Sequence, residues 1–198
     1  FRIKKFKFWR NSMSEKSYEE IFADFEEITN SYDRKNQYFD ILYDSTSVTS
    51  ISKTPSSEDF SVSTKKSGYV ARTFNDIWEE FAFKQRDGLK LIKDKLPKAI
   101  NKGDNIATYE GWKFNKVVTP KIDPANIPLE DKIKKIREIY DYVKSYDKRI
   151  IQVRIIYAEI LTERIFFNNE GCQLRQVLPR ARIGVTPIAK EGSVVDYD

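Results

Sequence analysis

Residues 128–146 place Leu129, Ile133, Ile136, Tyr140 and Val143 on one stripe, opposed by Lys132, Lys134, Lys135 and Glu138. That spacing predicts an amphipathic helix, and Pro128 suits its first helical position. The period then changes. From 149 to 189 the chain reads RIIQVRIIYAE, ILTERIFFNN, CQLRQVL and RARIGVTPIA, rich in β-branched and aromatic residues. Asn168-Asn169-Glu170-Gly171 reads as the turn between the second and third runs, with Pro179 a break before the fourth. A one-sided helix must bury its stripe, and these strands offer the surface.

The first half shows the same succession. Ser17-Tyr18-Glu19-Glu20 reads as a capping box, and Tyr18, Ile21, Phe22, Phe25 and Ile28 predict a helix over 18–30. From Gln37 to Phe83, the runs YFDILYD, TSVTSIS, DFSVSTK, SGYVART and EEFAFKQ read as an antiparallel meander of about four or five strands. Leu89, Ile92, Leu96 and Ile100 predict a helix over 87–101 that Pro97 kinks or ends. Residues 102–127, punctuated by Gly103, Gly111, Pro120 and Pro124, read as an irregular linker. The fold class is therefore α+β, antiparallel β-meanders with amphipathic helices packed on the sheet. A chain of 198 residues buries about 70% of its unfolded surface, enough for one core spanning 14–198.

Charge separates the first 13 residues from the rest. Lys and Arg number 35 against 30 Asp and Glu. Arg2, Lys4, Lys5, Lys7 and Arg10 account for that whole excess, so the body is neutral. A neutral body disfavours a nucleic-acid surface. The leader interleaves those cations with Phe1, Phe6, Phe8 and Trp9. It reads either as a non-native or disordered tail, since the only methionine is Met13, or as an arm for a membrane surface. It lacks the apolar stretch of a secretory signal. One cysteine and no such signal fit a cytoplasmic location.

Chemistry is scarce. With no histidine and one cysteine, the chain cannot assemble a His- or Cys-based zinc set, nor a Ser-His-Asp or Cys-His nucleophile. Cys172 has no base beside it in sequence and reads as inert. Ser63-Thr64-Lys65-Lys66 matches S-x-x-K, but in a strand rather than at the helix start that motif requires. Asp196 and Asp198 would share one strand face, a pattern that suits Mg²⁺ or Ca²⁺ but equally a solvated terminus. Arg154, Arg164, Arg175, Arg180 and Arg182 read as a solvated sheet face paired with Glu159, Glu163 and Glu170. No catalytic, cofactor-binding or metal residue is assigned.

Several of these segments together resemble one family. Asp123-Pro124, the helix LEDKIKKIREIYDYVKSYDKRI, the strand QVRIIYAE, the turn NNEG and the following PRARIGV are similar to a run of the TldD/PmbA proteins, zinc metallopeptidases also known as modulators of DNA gyrase. Ser67-Gly68-Tyr69-Val70-Ala71-Arg72 and Phe81-Ala82-Phe83 are similar to that family's first meander. The resemblance is specific over 123–185 and looser before residue 90. It implies the N-terminal domain of a cytoplasmic metallopeptidase, non-catalytic in itself and helping to form a chamber for a peptide substrate. Zinc is implied for the full-length protein only, because the family's H-E-x-x-x-H motif has no counterpart in this chain. The implied partners are its own catalytic domain or a sister subunit, in a homo- or heterodimer. The alternative is a stand-alone regulatory or binding module with a basic arm for nucleic acid or membrane.

The donor count makes a direct prediction. Purified without chelator, the chain carries no stoichiometric zinc and cleaves no peptide. Elemental analysis finding about one tightly held zinc per chain contradicts it.

Overall fold

The longest elements are strands, and two that lie far apart in sequence pair along their length. The computed structural model describes residues 15–104, 106 and 109–197; the leader of residues 1–13 lies outside them. Its elements are α1 (Glu15–Asn30), β1 (Tyr38–Lys53), β2 (Glu58–Asn75), β3 (Ile77–Phe83), α2 (Ile92–Lys95), β4 (Lys113–Val117), α3 (Leu129–Tyr146), β5 (Ile150–Asn168), β6 (Gln173–Glu191) and β7 (Val194–Tyr197). One seven-stranded sheet runs in the order β3-β2-β1-β5-β6-β4, with β7 also on β6. Every pair is antiparallel except β4 with β6. The α+β class holds.

Strand number differs from expectation. YFDILYD and TSVTSIS form the single strand β1, and DFSVSTK and SGYVART the single strand β2. Likewise, β5 joins the first two C-terminal runs and β6 the last two. Ser- and Thr-rich stretches look like turns by composition. In β1, however, both edges are paired, by β2 and by β5, so the backbone stays satisfied through Asp44–Val48. Pro179 does not interrupt β6: it sits opposite Leu161 with no shift of register. Among the described residues no other strand lies beside it on the far edge, where a missing N–H costs nothing.

Helix ends differ in detail. Helix α1 begins at Glu15, which puts Ser17 inside the first turn rather than at the cap. Pro128 is the N-cap of α3, in extended backbone (φ −55°, ψ 143°), and its carbonyl accepts from Lys132 N at 3.2 Å. The span 87–101 is a 3₁₀ stretch, Arg86–Leu91, leading into the short α2, which stops just before Leu96-Pro97. Leu89, Ile92 and Leu96 are buried, whereas Ile100 is exposed. The linker region contains β4, held in parallel beside Gln173–Val177.

Both long helices cover the same face of the sheet. The β1–β5 register runs unshifted from Asp40↔Asn168 to Lys53↔Ile155, so odd-numbered residues of both strands share one side. Under α1 lie Phe39, Ile41, Tyr43, Ile165 and Phe167. Under α3 lie Ile51, Val153 and Ile155, with Leu129, Ile133, Ile136, Tyr140 and Val143 above them. The predicted stripe of α3 is the packed one. Phe167 meets Phe22 edge-on at 4.4 Å and Phe25 at 5.8 Å.

The turn Asn168–Gly171 ties this core together. Asn169 Oδ1 accepts from Phe39 N at 3.0 Å, and its Nδ2 donates to Gln37 O at 2.8 Å and Tyr32 O at 3.3 Å. Asn168 Oδ1 accepts from Cys172 N at 2.8 Å. Gly171 adopts φ +92°, which excludes most other residues. Gly111 approaches the same turn so closely that a Cβ would meet Glu170 O at 2.2 Å.

Truncation of the two core patches gives the expected scale. Ile155→Ala should cost about 2–5 kcal/mol and Phe167→Ala about 3–5 kcal/mol in urea unfolding. Ile100→Ala, at 89% exposure, should stay within about 0.5 kcal/mol. An Ile155→Ala loss no larger than that of Ile100→Ala contradicts this assignment of the core.

Candidate interaction surface

Alternation sorts the charges of β5 and β6 onto opposite faces. Arg154, Arg164, Arg180 and Arg182 are even-numbered and lie on the face away from the helices; Glu159, Glu163 and Arg175 lie on the helix face. Arg154, Arg164, Arg180 and Arg182 therefore cannot pair with Glu159 and Glu163 as expected, whereas Arg175 shares the helix face with Glu163. Glu159 instead pairs with Lys132 of α3 at 2.5 Å and accepts from Tyr157 Oη at 2.7 Å. Arg164 pairs with Asp44 at 2.6 Å, Arg180 Nη2 donates to Thr162 Oγ1 at 3.2 Å, and Arg175 stacks over Tyr18 at 3.9 Å. Glu170 Oε1 accepts from Tyr109 N at 3.0 Å.

The outer face is apolar at its centre. Leu42, Val48, Val70, Ile156, Ile160 and Phe166 are half-buried there, around the buried Ala158. Among the described residues no helix packs on this side; α1 and α3 both lie on the other. An antiparallel sheet that ends against water normally carries polar residues on that face. Apolar strand residues rimmed by arginines instead suit a protein contact.

One buried ion pair anchors the end of this face. Asp40 is 1% exposed, and Arg72 grips it bidentately from β2, Nε at 2.9 Å and Nη2 at 2.8 Å. Burial pushes the Asp40 carboxyl above its usual range, while Arg72 and the Tyr38 hydroxyl pull it back. The Trp78 ring lies 5.9 Å from the Arg72 guanidinium. These groups satisfy one another, which makes the cluster structural.

An open pocket of about 450 Å³ lies between the end of α3 and β6–β7. Arg149 and Lys190 both line it, and Arg149 is held by Asp147 at 2.8 Å and Glu191 at 3.3 Å. Arg149 in turn holds the Asp147 carboxyl down at about 2.

The sequence candidates for chemistry stay apart. Cys172 is buried just after the turn, and burial raises its thiol pKa, which disfavours the reactive thiolate. Ser63 and Lys66 belong to β2. Asp196 is exposed on β7, and Asp198 lies outside the described residues. Among the described residues no three His, Cys, Asp or Glu side chains come together to hold a metal.

Arg72→Ala leaves a buried carboxylate unpaired and should cost about 3 kcal/mol at neutral pH. The sign follows from Asp40, whose carboxyl is raised in the folded state. Without Arg72 it rises further, so the folded variant holds its proton to higher pH, and the deficit shrinks as pH falls through that raised value. Asp40→Asn combined with Arg72→Ala should restore most of the loss. A deficit independent of pH in thermal melts would contradict this.

Residues 122–198, which include α3, β5, β6 and β7, match the family model of the PmbA/TldA metallopeptidase central domain. That description is central, where the sequence reading placed the stretch in an N-terminal domain. No curated protein matches the chain. Among solved structures, a protein described as a modulator of DNA gyrase from Bacteroides thetaiotaomicron VPI-5482 aligns with TM-score 0.69 at 15% identity, over 94% of this chain and 44% of its own. Another so described, from Thermotoga maritima MSB8, gives 0.61 at 13% identity over 93% and 42%. TldE from Thermococcus kodakarensis gives 0.56 at 16% identity over 91% and 42%. At these identities the likeness is one of fold, and the chain spans less than half of each solved chain. The family match over residues 122–198 falls on the same stretch, residues 123–185, where the sequence resemblance to the TldD/PmbA proteins is specific.

Proposed function

We propose that this chain is a non-catalytic domain of a TldD/PmbA-like zinc metallopeptidase, helping to form its substrate chamber and its contact with a catalytic domain or sister subunit. The match over 122–198 carries the reading. The uncovered apolar face supports it, since a sheet built from Ile156, Ala158, Ile160 and Phe166 on that side calls for a covering layer.

Zinc does not fit the residues present: the chain has no histidine, and its one cysteine is buried. In this reading the metal and the hydrolytic step reside in the partner, and this chain contributes shape and binding surface. No helix among the described residues is long and apolar enough to cross a membrane. A cytoplasmic setting belongs to the same proposal.

Two observations test it. The coding sequence beyond Asp198, or a subunit that co-purifies from the native source, should carry H-E-x-x-x-H. If neither does, the reading fails. The open sheet should also self-associate or take up a partner, so light scattering should give a mass above 23.3 kDa at micromolar concentration. A mass that stays at 23.3 kDa across a hundredfold dilution, about the span that separates tight from weak dimers, contradicts self-association.

A further inference from the structure

Strand β6 has a gap along its outer edge. On that edge β4 covers Gln173–Val177 and β7 covers Ile188–Glu191, leaving Leu178–Pro187 without a paired strand among the described residues. The phase of the backbone is fixed at both ends of the covered part. Gln173 N donates to Trp112 O and Val177 O accepts from Val118 N, each at 3.0 Å, so odd-numbered residues of β6 direct their peptide groups at this edge. The β5–β6 register carries that phase unbroken through Pro187. Ala181, Ile183 and Val185 therefore present free N–H and C=O groups to the gap, while Pro179 and Pro187 present carbonyls only.

The gap excludes a second β6. That strand would run on past Leu178 into the place that β4 fills, or past Pro187 into that of β7. At about 3.3 Å per residue the gap is about 30 Å long, room for an extended segment of about eight residues. Side chains beside it define the complement. Arg180 and Arg182 are exposed on the outer face, and no carboxylate among the described residues pairs with either. Ala181, Ile183 and Val185 line the other face, with Ile183 48% exposed.

We propose that the stretch of β6 between Pro179 and Pro187 is a docking slot for an extended acidic segment of a partner protein, one that alternates carboxylate with β-branched side chains. Backbone pairing supplies the attachment. Arg180 and Arg182 select acidic residues on one face, and Ile183 and Val185 take apolar ones on the other. The two prolines limit the register by removing donors at both ends. The inference takes its biological setting from the proposed assembling role, but the slot belongs to this chain alone. Its test needs neither zinc nor a catalytic subunit, so its failure is separable from failure of that role.

The probes are fluorescein-labelled octapeptides, four repeats of Val-Glu, of Val-Lys and of Val-Ser, titrated with the full chain by fluorescence polarisation. The Val-Glu peptide should bind about tenfold tighter than Val-Lys. The double variant Arg180→Ala/Arg182→Ala, checked for unchanged melting temperature, should reduce that preference to about twofold or less. N-methylation of one alternate set of Val-Glu amides should abolish binding, and methylation of the other set should leave it intact. Three results overturn the proposal: no binding of Val-Glu, equal binding of Val-Glu and Val-Lys, or equal tolerance of the two methylated sets.

Discussion

The unbroken antiparallel ladder between β1 and β5 is the constraint on which the other layers depend. It joins residues more than half the chain apart, Asp40 to Asn168 at one end and Lys53 to Ile155 at the other, with no bulge between. Because side chains alternate strictly along a strand, one unshifted ladder places Phe39, Ile41, Tyr43 and Ile51 on the same side as Val153, Ile155, Ile165 and Phe167. Both α1 and α3 then have a single apolar floor. A slip of one residue would turn that floor to solvent, and the Asn169 bonds to Gln37 and Phe39 hold it against such a slip.

The same alternation shapes the surface. With both long helices, Glu159 and Glu163 on one side, the other side sets Arg154, Arg164, Arg180 and Arg182 around an apolar centre. Within the helix side, Lys132–Glu159 and Arg137–Glu58 clamp α3 across β5 and the β1–β2 hairpin. Of the two, Arg137–Glu58 is open to solvent on its arginine side and contributes little energy, whereas Lys132–Glu159 is largely shielded. The outer side pairs Arg164 with Asp44 and Arg72 with Asp40, and among the described residues no strand lies beside β6 from Leu178 to Pro187. The β6 edge lies in the stretch that matches the TldD/PmbA family model, while the outer face also draws on β1 and β2.

Much of this was legible in the residues. The stripe Leu129–Val143 predicts α3 and the face it buries, because helical periodicity is a local signal. The NNEG turn is marked by Asn and Gly chemistry, and the structure shows both asparagines bonding the backbone. Less was legible where pairing overrides composition. Ser45 separates the runs YFDILYD and TSVTSIS, yet neighbours on both edges carry one strand through it. The arginine face was also written in the sequence: Arg154, Arg164, Arg180 and Arg182 share one parity and Glu159 and Glu163 the other. Reading β5 and β6 each as two strands hid that signal.

By itself the sequence determined the element types, the α+β class, the family resemblance over 123–185 and the lack of histidine chemistry. These depend on local periodicity, turn residues and composition, which need no knowledge of neighbours. The tertiary structure alone decided that β1 pairs with β5, that both helices share a face, and that β4 and β7 leave a gap on β6. Strand pairing joins backbone groups that look alike at every residue, so its partner and register are set by which apolar faces must be buried together.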